Sequence, residues 1–140
     1  MSEFITGNEN EIIRDSVNLP IAAAFAVVES ERGFMLLYNK YRGFWELTDG
    51  MREPGESPED CVIRECREEC NQEIENLKFI GIAKYETMNA AIYYSFLYDE
   101  KSFIENDEIL KMHWFESSAG LTEVCGESIK LIKIYDPGFN

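Results

Sequence analysis

Positive charge is scarce in this sequence. Lysine and arginine number 13 against 27 aspartates and glutamates, so the formal net charge is −14 at pH 7. Such a chain repels a nucleic-acid duplex and forgoes the counterion release that normally drives binding to one. The composition therefore disfavours nucleic-acid polymers as partners. It leaves room for a small phosphorylated ligand whose charge a bound metal cation offsets.

Long apolar runs are absent as well. No stretch approaches the roughly 18 residues needed to cross a bilayer, and no basic segment leads into an apolar run at the N-terminus. We therefore expect no membrane partner and no processing. The 140 residues are 45% hydrophobic, which suffices for one domain with its own core over residues 1–140. Residues 1–18 are polar and weakly patterned, and we expect a loosely attached N-terminal arm or an edge strand there.

The cysteines form no C-x-x-C pair, and there is a single histidine. Three of the four thiols, Cys61, Cys66 and Cys70, fall within one predicted helix, which excludes a small disulfide framework. The pattern favours a reducing, cytoplasmic location. A zinc site would require His113 to join Cys66 and Cys70 across the fold, whereas buried thiols are the simpler interpretation.

Apolar segments alternate with turn signals and predict strands interleaved with helices. A hairpin at Glu31–Gly33 joins the first two strands, and a turn at Met88–Asn89 joins the third and fourth. A terminal helix is indicated over Glu127–Tyr135 by apolar residues at helical spacing. This order favours an α/β fold with a sheet covered on both faces. The predicted strands are Ile21–Val28, Phe34–Tyr38, Phe79–Tyr85, Ala91–Tyr98 and Lys111–Phe115.

A second helix has clear start and stop signals. Ser57 is a suitable N-cap and Pro58 suits the first helical position. We expect the helix to run to about Cys70. Asn71 is a plausible terminator because asparagine tolerates the left-handed conformation that closes helices.

This helix has one apolar arc and one acidic arc. Like charges three or four positions apart destabilise an isolated helix by roughly 0.2 to 0.5 kcal/mol per pair unless a cation binds. The acidic arc is either a solvated surface or a set of hard oxygen ligands suited to Mg²⁺ or Mn²⁺. The apolar arc carries Val62, Ile63, Cys66 and Cys70, and the acidic arc carries Glu65, Glu68 and Glu69.

The same segment resembles the Nudix family, whose signature is G-x5-E-x7-R-E-U-x-E-E-x-G-U, with U an aliphatic residue. The sequence departs from that signature at its end, where Asn71 and Gln72 replace glycine and the aliphatic residue. It also has Thr48 and Asp49 where the family often has proline and glycine. The resemblance covers Pro20–Tyr135 and implies a Nudix-type α/β/α sandwich, a mixed β-sheet flanked by helices. Every gap in the signature is matched at Gly50, Glu56, Arg64, Glu65, Cys66, Glu68 and Glu69.

The resemblance also implies roles for the acidic residues. Divalent metal would be held by Glu65, Glu68 and Glu69, with Glu56 supporting the loop or a ligating water. Asp49 would contribute its backbone carbonyl. Arg64 would orient a glutamate, in agreement with its i, i+4 spacing from Glu68. An acidic residue ahead of Trp114 would add a ligand or a base, and we favour Glu108 over Asp107.

Substrate-binding candidates precede the glycine loop. Lys40 and Arg42 suit charge-assisted contacts to phosphates, although both also suit a solvated surface. Trp45 and Tyr38 suit stacking on a base, although aromatic residues beside a strand are often part of the core.

These features predict an Mg²⁺- or Mn²⁺-dependent hydrolase of a nucleoside diphosphate linked to another moiety, for example a nucleoside triphosphate pyrophosphohydrolase. The alternatives are a non-catalytic Nudix-like module that binds a nucleotide as a regulator, and a metal-binding acidic domain without catalysis. No EF-hand spacing supports the last of these. The expected partner is a small nucleotide-type substrate. Family members often form homodimers, and these residues leave the oligomeric state open.

Overall fold

The computed structural model describes residues 1–11 and 20–140. Groups of consecutive strands are interleaved with helices along the chain, as the apolar pattern predicted. The elements with bounds in those ranges are β1 (Glu3–Ile5), β2 (Ile21–Ser30), β3 (Gly33–Asn39), β4 (Phe44–Glu46), β5 (Thr48–Met51), α1 (Pro58–Cys70), β6 (Lys78–Lys84), β7 (Asn89–Phe96), β8 (Ile109–Phe115) and α2 (Gly126–Tyr135).

The strands of the described residues form one mixed sheet. Its order is β1-β6-β7-β2-β3-β4, with β5 added to β2 and β8 added to β3. β2 and β7 run parallel, while the other pairs are antiparallel. A mixed sheet is thereby confirmed.

One edge of β2 pairs with β3 at its C-terminal end and with β5 nearer its N-terminus, so β3 and β2 separate where the acidic residues lie. β3 pairs with β2 only at Glu29 and Ser30 and then diverges from it. The segment from Phe44 to Met51 pairs first with β3 as β4 and then crosses to β2 as β5. The crossing occurs at Leu47, which is buried. The ends of β3 and β4 therefore lie close to β5.

Helices cover both faces of the sheet. α1 buries its cysteines, including Cys61 and Cys66, with Met35 and Leu37 of β3. α2 buries Leu131 with other apolar residues on the opposite face. Alternation along the strands sends successive side chains to opposite layers. The predicted α/β/α sandwich is confirmed.

The caps of α1 are those that the sequence indicated. Ser57 is extended at φ −72° and ψ 157°, and its hydroxyl accepts a hydrogen bond from the Asp60 amide at 3.1 Å. Asn71 has φ 60°, in the left-handed region, and its amide donates to the Arg67 carbonyl. Both the start and the end of this helix are confirmed.

Several element boundaries differ from the expectation. The turn between β6 and β7 is closed by the Tyr85 amide donating to the Met88 carbonyl, and Asn89 is already the first residue of β7. The edge-strand alternative for the N-terminus holds for Glu3–Ile5, which pairs with β6. Residues 12–18 of that arm lie outside the described ranges. Within the described ranges, no helix has the length and apolarity needed to span a membrane.

Candidate active site

Arg64 lies at the centre of the acidic side chains of α1. Its Nε and Nη2 donate to the two carboxylate oxygens of Glu56 at 2.8 and 3.0 Å. Its Nη1 donates to Glu65 at 2.8 Å and to Glu68 at 3.2 Å. Its Nη2 also reaches the Met51 carbonyl. The guanidinium thereby ties the loop before the helix to two acidic residues on it.

The bidentate contact has an electrostatic consequence for Glu56. The hydrogen bonds from Arg64 lower the pKa of the Glu56 carboxyl to about 2, with help from the backbone amide of Glu53. The same contact raises the pKa of Arg64 above its usual value. Glu56 is therefore ionised at neutral pH and is fixed to Arg64 of the helix.

Glu69 points away from Arg64, into the layer between α1 and β5. Its side chain is buried, and its Oε1 accepts from the Thr48 hydroxyl at 2.5 Å and the Asp49 amide at 3.1 Å. Burial raises the pKa of Glu69 to about 10, against the Thr48 hydrogen bond, and the charges of Asp49, Glu108 and Glu65 raise it further. Glu69 is thus a desolvated carboxyl among other acids.

Asp49 has a similar environment. Burial raises its pKa to about 7, and the charge of Glu46 acts in the same direction, while Arg42 opposes it. The charges of Glu108 and Glu65 also raise it. The interacting carboxylates come from β4, β5, α1 and the loop before β8, so the fold concentrates negative charge at this point.

Glu108 is brought to this group by two asparagines. Asn39, at the end of β3, donates to Glu108 Oε1 at 3.2 Å. Asn106 accepts from the Glu108 amide at 3.1 Å and donates to the Glu69 carbonyl at 2.8 Å. Asp107, in contrast, is exposed. The structure therefore places Glu108, and not its neighbour, beside the acidic end of α1.

The donor set fits a hard divalent cation. Across residues 1–11 and 20–140, no three histidine, cysteine, aspartate or glutamate side chains meet closely enough to form a ready-made cation site. The oxygen ligands are nevertheless of the type that Mg²⁺ and Mn²⁺ prefer. Burial and repulsion between carboxylates raise the pKa values of Asp49 and Glu69, and the positive charge of Arg42 offsets the shift at Asp49 only in part. A bound cation supplies further positive charge at this point.

The candidate phosphate-binding residues differ in position. Arg42 donates to the buried carboxylate of Glu46 at 2.7 Å, beside the acidic group. Lys40 is exposed, and its Nζ lies 5.7 Å from the centre of the Tyr41 ring. The structure thus brings Arg42 to the acidic residues and leaves Lys40 at the surface.

The aromatic candidates lie on the other side of the sheet from these carboxylates. Tyr38 and Trp45 are partners across β3 and β4, with ring centres 5.4 Å apart, and Trp45 packs with the α2 layer. Asn39 and Glu46, the next residue in each strand, point to the α1 layer by alternation. A base that stacks on either ring must therefore reach the α2 face.

The departures from the signature have defined contacts. Thr48 supplies the hydroxyl that bonds Glu69. Gln72 is fully buried and pairs with both the amide and the carbonyl of Lys101 at 2.9 and 2.7 Å. Asn71 donates to the Ser102 carbonyl at 3.0 Å. The end of α1 is thus tethered to the segment that leads to Glu108.

Sequence reasoning missed four residues of this site. They were passed over because each polar side chain stands alone among strand or loop residues, without a periodic pattern. The most visible signal was an acidic residue between Trp45 and Leu47, at a position where a strand would otherwise be apolar. The missed residues are Asn39, Glu46, Thr48 and Asn106.

Comparison with known proteins identifies a matching family and several relatives. The family model described as NUDIX domain matches residues 19–128. An NAD-capped RNA hydrolase NudC from Pseudomonas fluorescens is 49% identical over 39 residues, which are 28% of this chain and 14% of the relative. The chain therefore spans only a small part of that curated protein.

Solved structures with a fold similar to that of this chain include two NUDIX hydrolases. A MutT NUDIX hydrolase from Burkholderia pseudomallei superposes with a TM-score of 0.71 at 18% identity, covering 81% of this chain and 96% of that one. A NUDIX hydrolase from Nitrosomonas europaea gives 0.70 at 20% identity, covering 85% and 90%. At these identities the likeness concerns the fold alone.

Proposed function

This chain belongs to the Nudix family, and on that premise we propose that it is an Mg²⁺- or Mn²⁺-dependent hydrolase. Its substrate class is a nucleoside diphosphate linked to another moiety, and the bond cleaved is the phosphoric anhydride. One observation carries the proposal: burial and the charges of Asp49, Glu108 and Glu65 raise the pKa of Glu69, on a helix that Arg64 ties to Glu56 in the preceding loop.

The proposed metal ligands are the helix glutamates Glu65, Glu68 and Glu69, with Asp49 beside them. Glu56 supports them indirectly, because Arg64 holds Glu56, Glu65 and Glu68 through one guanidinium. When bound, a divalent cation offsets the charge of a diphosphate and lowers the pKa of an attacking water. Phosphoryl transfer depends chiefly on such positioning and charge stabilisation.

The remaining residues orient these groups or handle a proton. Thr48 and the Asp49 amide hold the Glu69 carboxylate by hydrogen bonds, which fixes its direction towards the end of β5. Glu108, anchored by Asn39, is the proposed acceptor of the proton from the attacking water. Arg42 and Lys40 are the proposed donors to the phosphates, and Arg42 is the better placed of the two.

The substrate proposal rests on the net charge of the protein and on its sequence similarity to known hydrolases. The net charge of −14 favours a compact ligand over a polymer. The Pseudomonas relatives carry the name NAD-capped RNA hydrolase, and this favours including a dinucleotide-type diphosphate among the substrates tested. Within that range we propose a nucleoside triphosphate first. The four cysteines are free thiols, which suits the proposed cytoplasmic location.

A hydrolysis panel tests the proposal. Nucleoside triphosphates, nucleotide sugars, ADP-ribose, dinucleoside polyphosphates and an NAD-capped oligonucleotide are incubated with the protein and Mg²⁺. We expect a nucleoside monophosphate and a second phosphorylated product from at least one class. Binding of a nucleotide without any product would instead identify the non-catalytic regulatory module.

A further inference from the structure

A buried carboxylate lies between an amide and a guanidinium at the junction of β3 and β4. Glu46 is 3% exposed. Its Oε1 accepts from Asn39 Nδ2 at 2.7 Å, and its Oε2 accepts from Arg42 Nη1 at 2.7 Å. Each oxygen of the carboxylate thus has its own short contact. A buried carboxylate with both oxygens paired has a fixed direction.

Asn39 fixes this arrangement from the other side. It is 1% exposed, and its Oδ1 accepts from the amides of Tyr41 and Arg42 at 2.9 and 3.1 Å. Its Nδ2 donates to Glu46 and also to Glu108. One side chain therefore orders the turn that carries Arg42 and the carboxylate that binds the Arg42 guanidinium.

The result is a positively charged guanidinium, that of Arg42, fixed at the edge of the acidic site. The Arg42 side chain is 52% exposed although its partner is buried. Its charge acts on Asp49, and the charges of Asp49 and Glu108 act on it in return. Arg64 forms ion pairs with four glutamates, which leaves Arg42 as the better placed of these two guanidinium groups for an incoming anion. Arginine suits diphosphate because its planar fork binds phosphate oxygens in pairs.

We propose that Glu46, anchored by Asn39, is a positioning residue that holds Arg42 as a clamp for the diphosphate of the substrate. The proposal rests on the hydrolase function proposed above. Without Glu46, the arginine side chain samples many rotamers, and that freedom has to be lost again on binding. The pair therefore preorganises substrate binding and leaves the chemical step to the metal-binding carboxylates.

The competing explanation is that Arg42 only neutralises Glu46. In that case the pair is structural, and removing both partners leaves substrate affinity unchanged. Glu46→Gln separates the two explanations well, because glutamine still accepts from Asn39 through its oxygen but presents an amide to Arg42 in place of a carboxylate oxygen. Arg42→Gln removes the clamp itself.

The experiment measures kcat and KM for wild type, Glu46→Gln, Arg42→Gln and the double variant on the best panel substrate. Inhibition constants for imidodiphosphate with Mg²⁺ provide a second measure of diphosphate binding. We expect Arg42→Gln to raise KM about 10-fold to 100-fold, the loss typical of hydrogen bonds to charged groups. Glu46→Gln should raise KM by a smaller factor, and kcat should change little in either variant.

The double variant decides the question. If Glu46 acts through Arg42, the KM of the double variant equals that of Arg42→Gln within a factor of about two, because the two effects are then not additive. An unchanged KM in Arg42→Gln overturns the proposal, and so do single effects that multiply in the double variant. If wild type hydrolyses no substrate in the panel, the hydrolase function fails instead. Calorimetry then gives the dissociation constant of imidodiphosphate with Mg²⁺ without any turnover, and an equal value in wild type and all variants overturns the clamp separately.

Arg32→Gln is the matched control. Arg32 also pairs with a glutamate, Glu100, but it follows the far end of β2, away from the residues that pair with β5. The change removes the same charge from the protein without touching the acidic site. We expect KM to remain at the wild-type value, which excludes a general effect of net charge.

Discussion

Glu65 lies directly over Gly50. A Cβ built on Gly50 would come within 2.2 Å of both Cγ and Cδ of Glu65, and within 2.6 Å of its Oε1. Gly50 of β5 pairs with Ala24 of β2. A side chain at position 50 would face α1, so only glycine leaves space there for the Glu65 side chain. The first residue of the signature and a glutamate fifteen positions later are therefore one steric unit.

Gly50→Ala tests this relationship. The nearest atoms belong to a flexible side chain, so we expect the protein to fold while the Glu65 carboxylate is displaced from its contact with Arg64. Turnover should fall strongly, since misplacing a catalytic group by about 1 Å can cost about a hundredfold. Melting curves and kcat are the measurements. Gly126→Ala is the control, because a Cβ there meets nothing within 4 Å, and wild-type kcat in Gly50→Ala would refute the steric argument.

Glu68→Gln separates catalytic from structural contributions on the exposed side of α1. The Glu68 side chain is 58% exposed and makes one contact with Arg64, which Glu56 and Glu65 also hold. Exposed pairs of this kind contribute less than about 1 kcal/mol, so the metal-free variant should be nearly as stable as wild type. Turnover should drop at least about a hundredfold if Glu68 helps to hold the charge-stabilising metal.

The melting temperature with and without Mg²⁺ completes that test. A ligand that binds only the native state stabilises it by mass action, so Mg²⁺ should raise the Tm of wild type more than that of Glu68→Gln. An equal shift together with near-normal kcat would remove Glu68 from the metal site.

The stability of the metal-free protein should fall as pH rises. Burial raises the pKa of Asp49 from 3.8 to about 7 and that of Glu69 from 4.5 to about 10. Between those limits the native state binds more protons than the unfolded chain, so the free energy of unfolding decreases with pH. The stabilisation from these two protonated carboxyls is fully present below their pKa values in the unfolded chain. The Asp49 part is lost as pH rises through about 7, and the Glu69 part as pH rises through about 10.

Chemical unfolding in EDTA from about pH 5 to about pH 9 measures this slope. Glu69→Gln should flatten it, because the substituted amide does not titrate. Saturating Mg²⁺ should also flatten or reverse the slope for wild type, since a cation favours the ionised carboxylates. If the free energy of unfolding changes with pH as steeply in Glu69→Gln as in wild type, the Glu69 carboxyl does not have the raised pKa that causes the slope.

Tyr38 and Trp45 remain candidates for base stacking on the α2 face. Stacking of a base on an aromatic side chain contributes about 1 to 3 kcal/mol, so Tyr38→Ala or Trp45→Ala should raise KM by about 5-fold to about 150-fold. The Tm shift caused by Mg²⁺ should stay at the wild-type value in both variants. Unchanged KM in both, with folding verified by circular dichroism, would assign the rings to the packed aromatic cluster with Phe115.

The helix could be predicted from sequence because its signals are local. Ser57, Pro58 and Asn71 mark its ends through backbone preferences that act within a few residues. The Arg64 contacts to Glu65 and Glu68 also follow from spacing along one helix. The periodic apolar pattern likewise predicted the long strands and the helix on each face of the sheet.

The contacts between distant segments could not be predicted in this way. β4 and β5 are only three and four residues long, and β5 contains Asp49 and Gly50, both poor strand formers. They form because the chain changes partner between β3 and β2. The Asn39 contact with Glu108 follows from the pairing of β3 with β8, and it joins residues 69 positions apart. Likewise, Gln72 gives no local signal that it will pair with Lys101.

The most direct test of the account is metal-dependent turnover followed by ³¹P NMR. Wild-type protein, stripped of metal and verified as folded, is incubated with each class of the diphosphate panel in excess EDTA, in Mg²⁺ and in Mn²⁺. The account predicts a nucleoside monophosphate and a second phosphorylated product in Mg²⁺ for at least one class, and none in EDTA. Full turnover in EDTA, or no cleavage of any class in Mg²⁺ or Mn²⁺, would contradict it.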